Sequence, residues 1–184
     1  MTKKKNIFVI IGSASKNSAN EKLVDYFLQQ TADLFTLTIF NELRSLPHFD
    51  PERSADDPPK EIIALRKNIE EADGIIICTP EYVFSLPSGL KNAIEWCVAT
   101  TVFSDKPIGL ITASASGQKA HEELQLIMKT VMTRFTDQTT LLIQGIKGKV
   151  NQAGEITDTK TIEALANFID AFKTLVFEKG NTGH

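Results

Sequence analysis

Three short polar stretches hold the residues able to do chemistry in this chain: "GSASKNSAN" at 12–20, "TPEYVFSLPSG" at 79–89 and "TASASGQ" at 112–118. The first sets a glycine, hydroxyls and amides just ahead of a helical pattern. Hydroxyls donate hydrogen bonds to phosphate oxygens, and a helix N-terminus offers unpaired N–H groups with a partial positive charge. That is anion chemistry. The stretch fails the P-loop spacing, which needs Gly-Lys at 17 and 18 and finds Asn17 and Ser18. It also fails the dinucleotide fingerprint, because Ala14 and Asn17 occupy two of the glycine positions. A compact mononucleotide phosphate remains, beside the plainer reading in which Ser18 only caps a helix. The second stretch sets Tyr82, Phe84 and Leu86 beside backbone amides, between the stiffening residues Pro80 and Pro87. Such a loop suits the edge of a flat heterocycle. Packing of Tyr82 and Phe84 over the end of a sheet is the alternative.

Other chemistries find little support. There is no G-x-S-x-G elbow for a serine nucleophile, and His48, His121 and His184 are scattered. Two cysteines, Cys78 and Cys97, are too few for a disulfide framework or a metal site, and Cys78 reads as a buried thiol ending an apolar strand. Glu81 invites a general-base reading, which would need a tuned environment; no catalytic side chain and no metal ligand is assigned. The net charge is −3, and no Lys/Arg cluster follows the "KKK" near the start, so nucleic acid is not an expected partner. No apolar run reaches membrane-spanning length, and none resembles a signal peptide. A cytoplasmic protein is the expectation.

The three stretches need elements to position them. Apolar runs predict strands at 6–11, 73–80, 107–113 and 139–145, and the alternating "LFTLTIF" predicts one at 34–40. Helical patterns cover 18–30, 60–72, 87–98, 116–135 and 161–177. Leu23, Val24, Phe27 and Leu28 form the stripe of the first helix; Ile162, Leu165, Ala166, Ile169, Phe172 and Val176 form that of the last. A long loop with four prolines fills 41–59. Strands and helices alternate five times, and three strands are apolar on both faces. Helices on both faces of a parallel sheet produce that pattern. Ligands of such sheets bind outside the carboxyl ends of the strands, where all three polar stretches fall. No linker or repeat divides the chain, so residues 1–184 read as one domain with a core at about 6–178.

The residues carry a resemblance. "GSASKNSAN" resembles the G-S-x-R-x-x-S-x-N loop of the NADPH-dependent FMN reductase family, and "PEYVFSLPSGLKNAIEW" resembles its P-E-Y-N-x-S-x-P-G-x-L-K-N-A-I-D-W segment. "LPHFDPE", 46–52, is similar to its L-P-x-Y/F-x-x-D/E stretch. The resemblance implies a flavodoxin-like α/β/α sandwich with a five-stranded parallel sheet in the order 2-1-3-4-5. It implies bound FMN, with NADPH or NADH as co-substrate and the chemistry carried by the flavin. The acceptor would be a quinone, an azo compound, a metal oxyanion or free flavin. Ser13, Ser15, Ser18 and Asn20 match the phosphate and ribityl loop. Pro80, Glu81, Tyr82 and Val83 match the segment along the flavin ring, and Ser114, Ser116 and Gly117 the loop on its other side. For Glu81 the resemblance implies a structural role instead of a general base. Leu90, Lys91, Asn92 and Trp96 match the helix that follows. The loop at 46–59 and the helix at 87–98 match segments the family uses between subunits, which implies a homodimer or homotetramer. Three departures stand out: Ser15 replaces the family's arginine, Val83 its asparagine and Ser88 a glycine. Loss of a permanent charge with a bidentate fork at position 15 predicts weaker FMN binding than is typical. A flavodoxin-like electron carrier and a flavin-free protein of the same fold are the alternatives. A carrier stays oxidised on mixing with NADPH, and a flavin-free protein purifies colourless.

Overall fold

The computed structural model describes residues 3–178. Five strands and five helices alternate along it. The strands are β1 (Lys5–Ile11), β2 (Phe35–Phe40), β3 (Gly74–Thr79), β4 (Ile108–Ser114) and β5 (Thr140–Gln144). The helices are α1 (Ala19–Thr31), α2 (Lys60–Glu71), α3 (Ser88–Glu95), α4 (Gln118–Thr130) and α5 (Thr159–Phe177). The strands form one sheet in the order β2-β1-β3-β4-β5, and every pairing is parallel. This is the flavodoxin-like order.

The pleat explains why the strands read as continuous apolar runs. Successive side chains point to opposite faces, and both faces are covered. Phe8, Ile10, Ile75, Ile77, Ile108 and Leu110 pack with α2, α3 and α4 on one side. Ile7, Val9, Ile11, Ile76, Cys78 and Ile111 pack with α1 and α5 on the other.

The structure corrects some boundaries and faces. Leu28 is 38% exposed, whereas Thr31 is buried with its hydroxyl donating to the Phe27 carbonyl. On α5, Ala166 is exposed and Ile162 only half-buried; Phe168 and Leu175 turn inward instead. α4 stops at Thr130 instead of running to 135. Met132 there has a φ of 60°, and the Thr133 N–H reaches back to the Met128 carbonyl, closing a Schellman-type turn with a methionine in the usual glycine position. Arg134 then leaves the helix to pair beside Pro107 at the start of β4. α3 ends at Glu95, with Trp96 as its C-cap. His184 lies outside the described residues.

The long loop is not slack. The Asn92 side-chain amide and the Trp96 indole N–H both donate to the Pro47 carbonyl at 2.9 Å, and Asn92 Oδ1 accepts from the Phe49 N–H at 2.7 Å. The L-P-x-F and K-N-A-I-E-W stretches are thus two halves of one clamp.

Candidate functional site

The first polar loop begins where β1 ends beside β3, with the Gly12 N–H donating to the Cys78 carbonyl at 2.8 Å. A Cβ on Gly12 would stand 2.3 Å from Thr79 Oγ1 and 2.7 Å from Thr79 Cβ, so only glycine fits. Beyond it, the Ser15 N–H donates to Ser13 Oγ at 3.2 Å. Asn17 sits in the left-handed region at φ 53°, a conformation its short amide tolerates. Ser18 is the N-cap of α1, its hydroxyl accepting from the Glu21 N–H at 3.2 Å. Asn20 turns inward and is buried. Its amide donates to the Ala113 carbonyl at 3.3 Å, and its Oδ1 faces the Cys78 thiol at 3.4 Å. One asparagine therefore ties the first turn of α1 to the ends of β3 and β4. Burial pushes the Cys78 thiol well up, leaving it a neutral donor.

The second loop is a tight hairpin. Tyr82 and Ser85 exchange both backbone hydrogen bonds, at 3.0 and 3.1 Å, around a two-residue turn. Both central residues have positive φ, 50° at Val83 and 60° at Phe84. That is the backbone of a type I′ turn, which favours Asn-Gly. Val83 is 94% exposed and Phe84 75%. The family's asparagine at position 83 thus has a conformational meaning that valine does not satisfy.

Two carboxylates bolt this hairpin to α4. Glu81 accepts from the Gly117 N–H at 3.1 Å and the Ala120 N–H at 3.0 Å, filling the N-terminus of α4. Glu123, one turn on, reaches back to the Ser85 hydroxyl at 2.7 Å and the Leu86 N–H at 3.0 Å. Ser114 adds a hydroxyl donated to the Glu81 carbonyl at 3.4 Å. Beneath this seam His121 is buried with Nδ1 2.9 Å from Thr112 Oγ1, and burial lowers its pKa, which favours the neutral ring.

The hairpin also touches the first loop. The Tyr82 phenol oxygen accepts from the Ala14 N–H at 3.3 Å and pairs with Ser13 Oγ at 3.5 Å. Burial alone would raise its pKa. The hydrogen bonds from Ser13, Ala14 and Ser15, with the Arg44 charge, outweigh that and hold it below the usual phenol value. Arg44 comes from the 3-10 turn Leu43–Ser45 after β2, and its guanidinium donates to the Ala14 carbonyl.

A cavity of about 1250 Å³ opens among these loops. Ser13, Ser15, Ser18, Asn20, Pro80, Tyr82 and Ser114 all line it. The remaining sequence candidates lie outside its lining: Glu81 faces α4, Val83 stands at the hairpin tip, Ser116 is exposed, and Gly117 is the buried N-cap of α4 at φ 84°. The other wall is a segment that the sequence reading passed over, 145–154 after β5. Its Gly145 N–H donates to the Ala115 carbonyl at 3.1 Å, and Val150 bridges Ile156. The signal was topological: every loop leaving the carboxyl end of a parallel strand reaches this edge.

The sequence model of the NADPH-dependent FMN reductase family matches residues 5–146. The chain belongs to that family. Membership brings its fold and its reaction, NAD(P)H-dependent reduction through FMN, and the protein is an enzyme of that class. Among its relatives is the NADH:(hydroxy)cinnamate reductase subunit CrdA of Vibrio ruber, 30% identical over 91% of this chain and 85% of that one. The quinone reductase of Escherichia coli K12 is 27% identical over 94% of this chain and 95% of its own length. Among solved structures, FerB of Paracoccus denitrificans, a flavoenzyme NAD(P)H:(acceptor) oxidoreductase, superposes with a TM-score of 0.81. It is 28% identical over 94% of this chain and 97% of that one. The residues themselves fit FMN: hydroxyl and amide donors of the loop at the start of α1 line the cavity.

Proposed function

We propose that the cavity holds FMN with its phosphate at the 13–18 loop and its ring beside the 80–83 hairpin, and that the physiological acceptor is a quinone. The observation that carries this reading is the convergence of the loops after β1, β3 and β4 on one cavity whose mouth is rich in hydroxyl and amide donors. The quinone reductase relatives support the acceptor class. Bound FMN supplies the two-electron centre that takes hydride from NAD(P)H and passes it on.

The chain's own residues bind and orient. Ser13, Ser15 and Ser18 offer hydroxyls to the phosphate and ribityl chain. Pro80 and Tyr82 border one edge of the ring, with Ser114 on its far side; Val83, Ser116 and Gly117 act only through the backbone of their loops. Asn20 and Glu81 act by positioning: the first locks α1 to the strand ends, the second locks the hairpin to α4. No side chain is assigned as an acid or base, because solvent can supply protons to a reduced quinone.

The same reading places the protein in the cytoplasm as a homodimer or homotetramer. Cys78 and Cys97 are free and buried, which suits a reducing compartment. Among the described residues no helix is long and apolar enough to cross a membrane. The clamped 46–59 loop offers a firm surface for assembly.

The test is a visible spectrum of the purified protein before and after NADPH, then with a benzoquinone. A flavin spectrum that bleaches with NADPH and returns with quinone is the expected result. Ser18→Ala should lose turnover in step with bound flavin. Full flavin content with lost turnover would defeat the role given to Ser18, and a flavin that NADPH leaves oxidised would make the protein a carrier.

A further inference from the structure

The family's loop carries an arginine where this chain has Ser15, yet a guanidinium reaches the same loop from elsewhere. β2 lies beside β1, with Phe40 in register with Ile10, so the chain leaving β2 runs next to the loop leaving β1. Leu43 is buried, and its Cβ would stand 3.3 Å from a Cβ on Gly89, which anchors the turn against α3. Arg44 then projects outward and donates to the carbonyl of Ala14, the residue just before Ser15. One donor of five is used there. Among the described residues no carboxylate lies within salt-bridge distance of it; the other arginines, Arg53 and Arg134, pair with acids, and Arg66 with carbonyls.

The surroundings favour negative charge. Tyr82's phenol oxygen gathers the Ala14 N–H and sits against Ser13 Oγ. Those bonds and the Arg44 charge lower its pKa.

We propose that Arg44 supplies the fixed positive charge of the flavin-phosphate site, replacing in space the arginine that Ser15 replaces in sequence. The inference rests on the FMN reading above. Arg44 lies on an exposed turn, so its substitution leaves both cores intact. Its carbonyl bond holds the loop's backbone while its remaining donors stay free for phosphate. Arg44 reaches the loop from outside the cavity lining, whereas Lys16, Lys22 and Lys147 line the cavity as point charges on flexible stems and are the competing cations.

The full-length chain, freed of flavin, is titrated with FMN and with riboflavin, which lacks the phosphate, at low and high salt. Wild type should prefer FMN. Arg44→Gln should weaken FMN binding about tenfold or more, the usual scale for a charge-assisted hydrogen bond, and leave riboflavin binding unchanged. It should also lose most of the salt dependence. Arg44→Lys should keep most of the salt dependence, and Ser15→Arg added to Arg44→Gln should restore FMN affinity. Several results overturn the proposal: an Arg44→Gln protein with wild-type FMN preference, equal loss for both ligands, or a loss confined to Lys16→Gln, Lys22→Gln or Lys147→Gln. A change only in NADPH relative to NADH would assign Arg44 to the nicotinamide nucleotide instead. If wild type binds neither flavin, the FMN reading itself fails, and that outcome is separate from all of these.

Discussion

Val83→Asn should stabilise the protein. Val83 has a φ of 50° in a two-residue hairpin turn. A β-branched side chain there crowds its own backbone, and the left-handed conformation costs an L-residue roughly 1–2 kcal/mol. Asparagine adopts it at much lower cost. Nothing offsets the strain through packing, because Val83 is 94% exposed. The turn cannot relax independently of the core. Its base is held by Glu123 at Ser85 and Leu86, and its entrance by Glu81 at Gly117 and Ala120. Relief of strain therefore registers in global unfolding. A gain of about 1 kcal/mol corresponds to about 2–4 °C in Tm for a chain of this size. The assay is thermal unfolding of flavin-free wild type and variant, since bound ligand adds its own stabilisation. Val83→Gly should gain less, because glycine has more conformational freedom to lose. An unchanged or lowered Tm for Val83→Asn would refute the assignment of strain to this turn.

Glu81→Ala removes the acceptor for two amides of α4 and should cost about 1–3 kcal/mol in denaturant unfolding; Glu81→Gln should cost less, since one oxygen remains. Gly12→Ala should destabilise by about 1–3 kcal/mol or more, because its new Cβ meets the Thr79 side chain in a packed sheet. Burial pulls the Asp73 carboxyl upward, but the Lys5 ammonium, the Asn6 N–H and the Lys106 charge outweigh it and hold its pKa below the ordinary 3.8. A depressed carboxylate pKa contributes stability that is complete above the unfolded value and lost as pH falls through the folded one. Wild type should therefore exceed Asp73→Asn in stability at neutral pH, with the gap closing as pH falls below 3.8; a gap that ignores pH would be wrong. Burial pushes the Cys97 thiol up to about 12 and Cys78 further, so neither should react with iodoacetamide in the native state at neutral pH, and both should react in denaturant; mass spectrometry reads this directly.

The sheet was legible because its central strands are buried on both faces, which leaves long apolar runs such as "GIIICT" with little to confuse them. Helix ends were less legible. α4 stops at a left-handed Met132, and nothing in "KTVMTRF" announces it as a glycine would. The polar loops were found as loops, but their internal bonding was not. The resemblance implies a ligand role for Asn20, and only the packing of α1 over β3 and β4 turns its amide inward. Glu81 and Glu123 are distant in sequence, and their exchange across one seam has no local signature. Arg44 was invisible for the same reason: its relation to Ala14 exists only because β2 pairs beside β1.

The two carboxylates also bear on which helix end serves an anion. Of the helices that begin at the carboxyl edge of the sheet, α1, α3 and α4 follow the three polar loops, and each N-terminus attracts negative charge. At α4 the end is already filled from within, since Glu81 takes both the Gly117 and Ala120 amides. At α3 the chain enters through Pro87, which brings no N–H, and the Leu86 amide just before it belongs to Glu123. At α1 the cap is a neutral serine that uses one amide, with Glu21 as the acidic residue of the first turn. Glu81 and Glu123 thus fix the hairpin, and by the same bonds Glu81 takes the start of α4 out of contention. A phosphate entering by the polar loops finds amides left unfilled by the neutral cap at the start of α1, beside Ser13 and Ser15 and near Arg44.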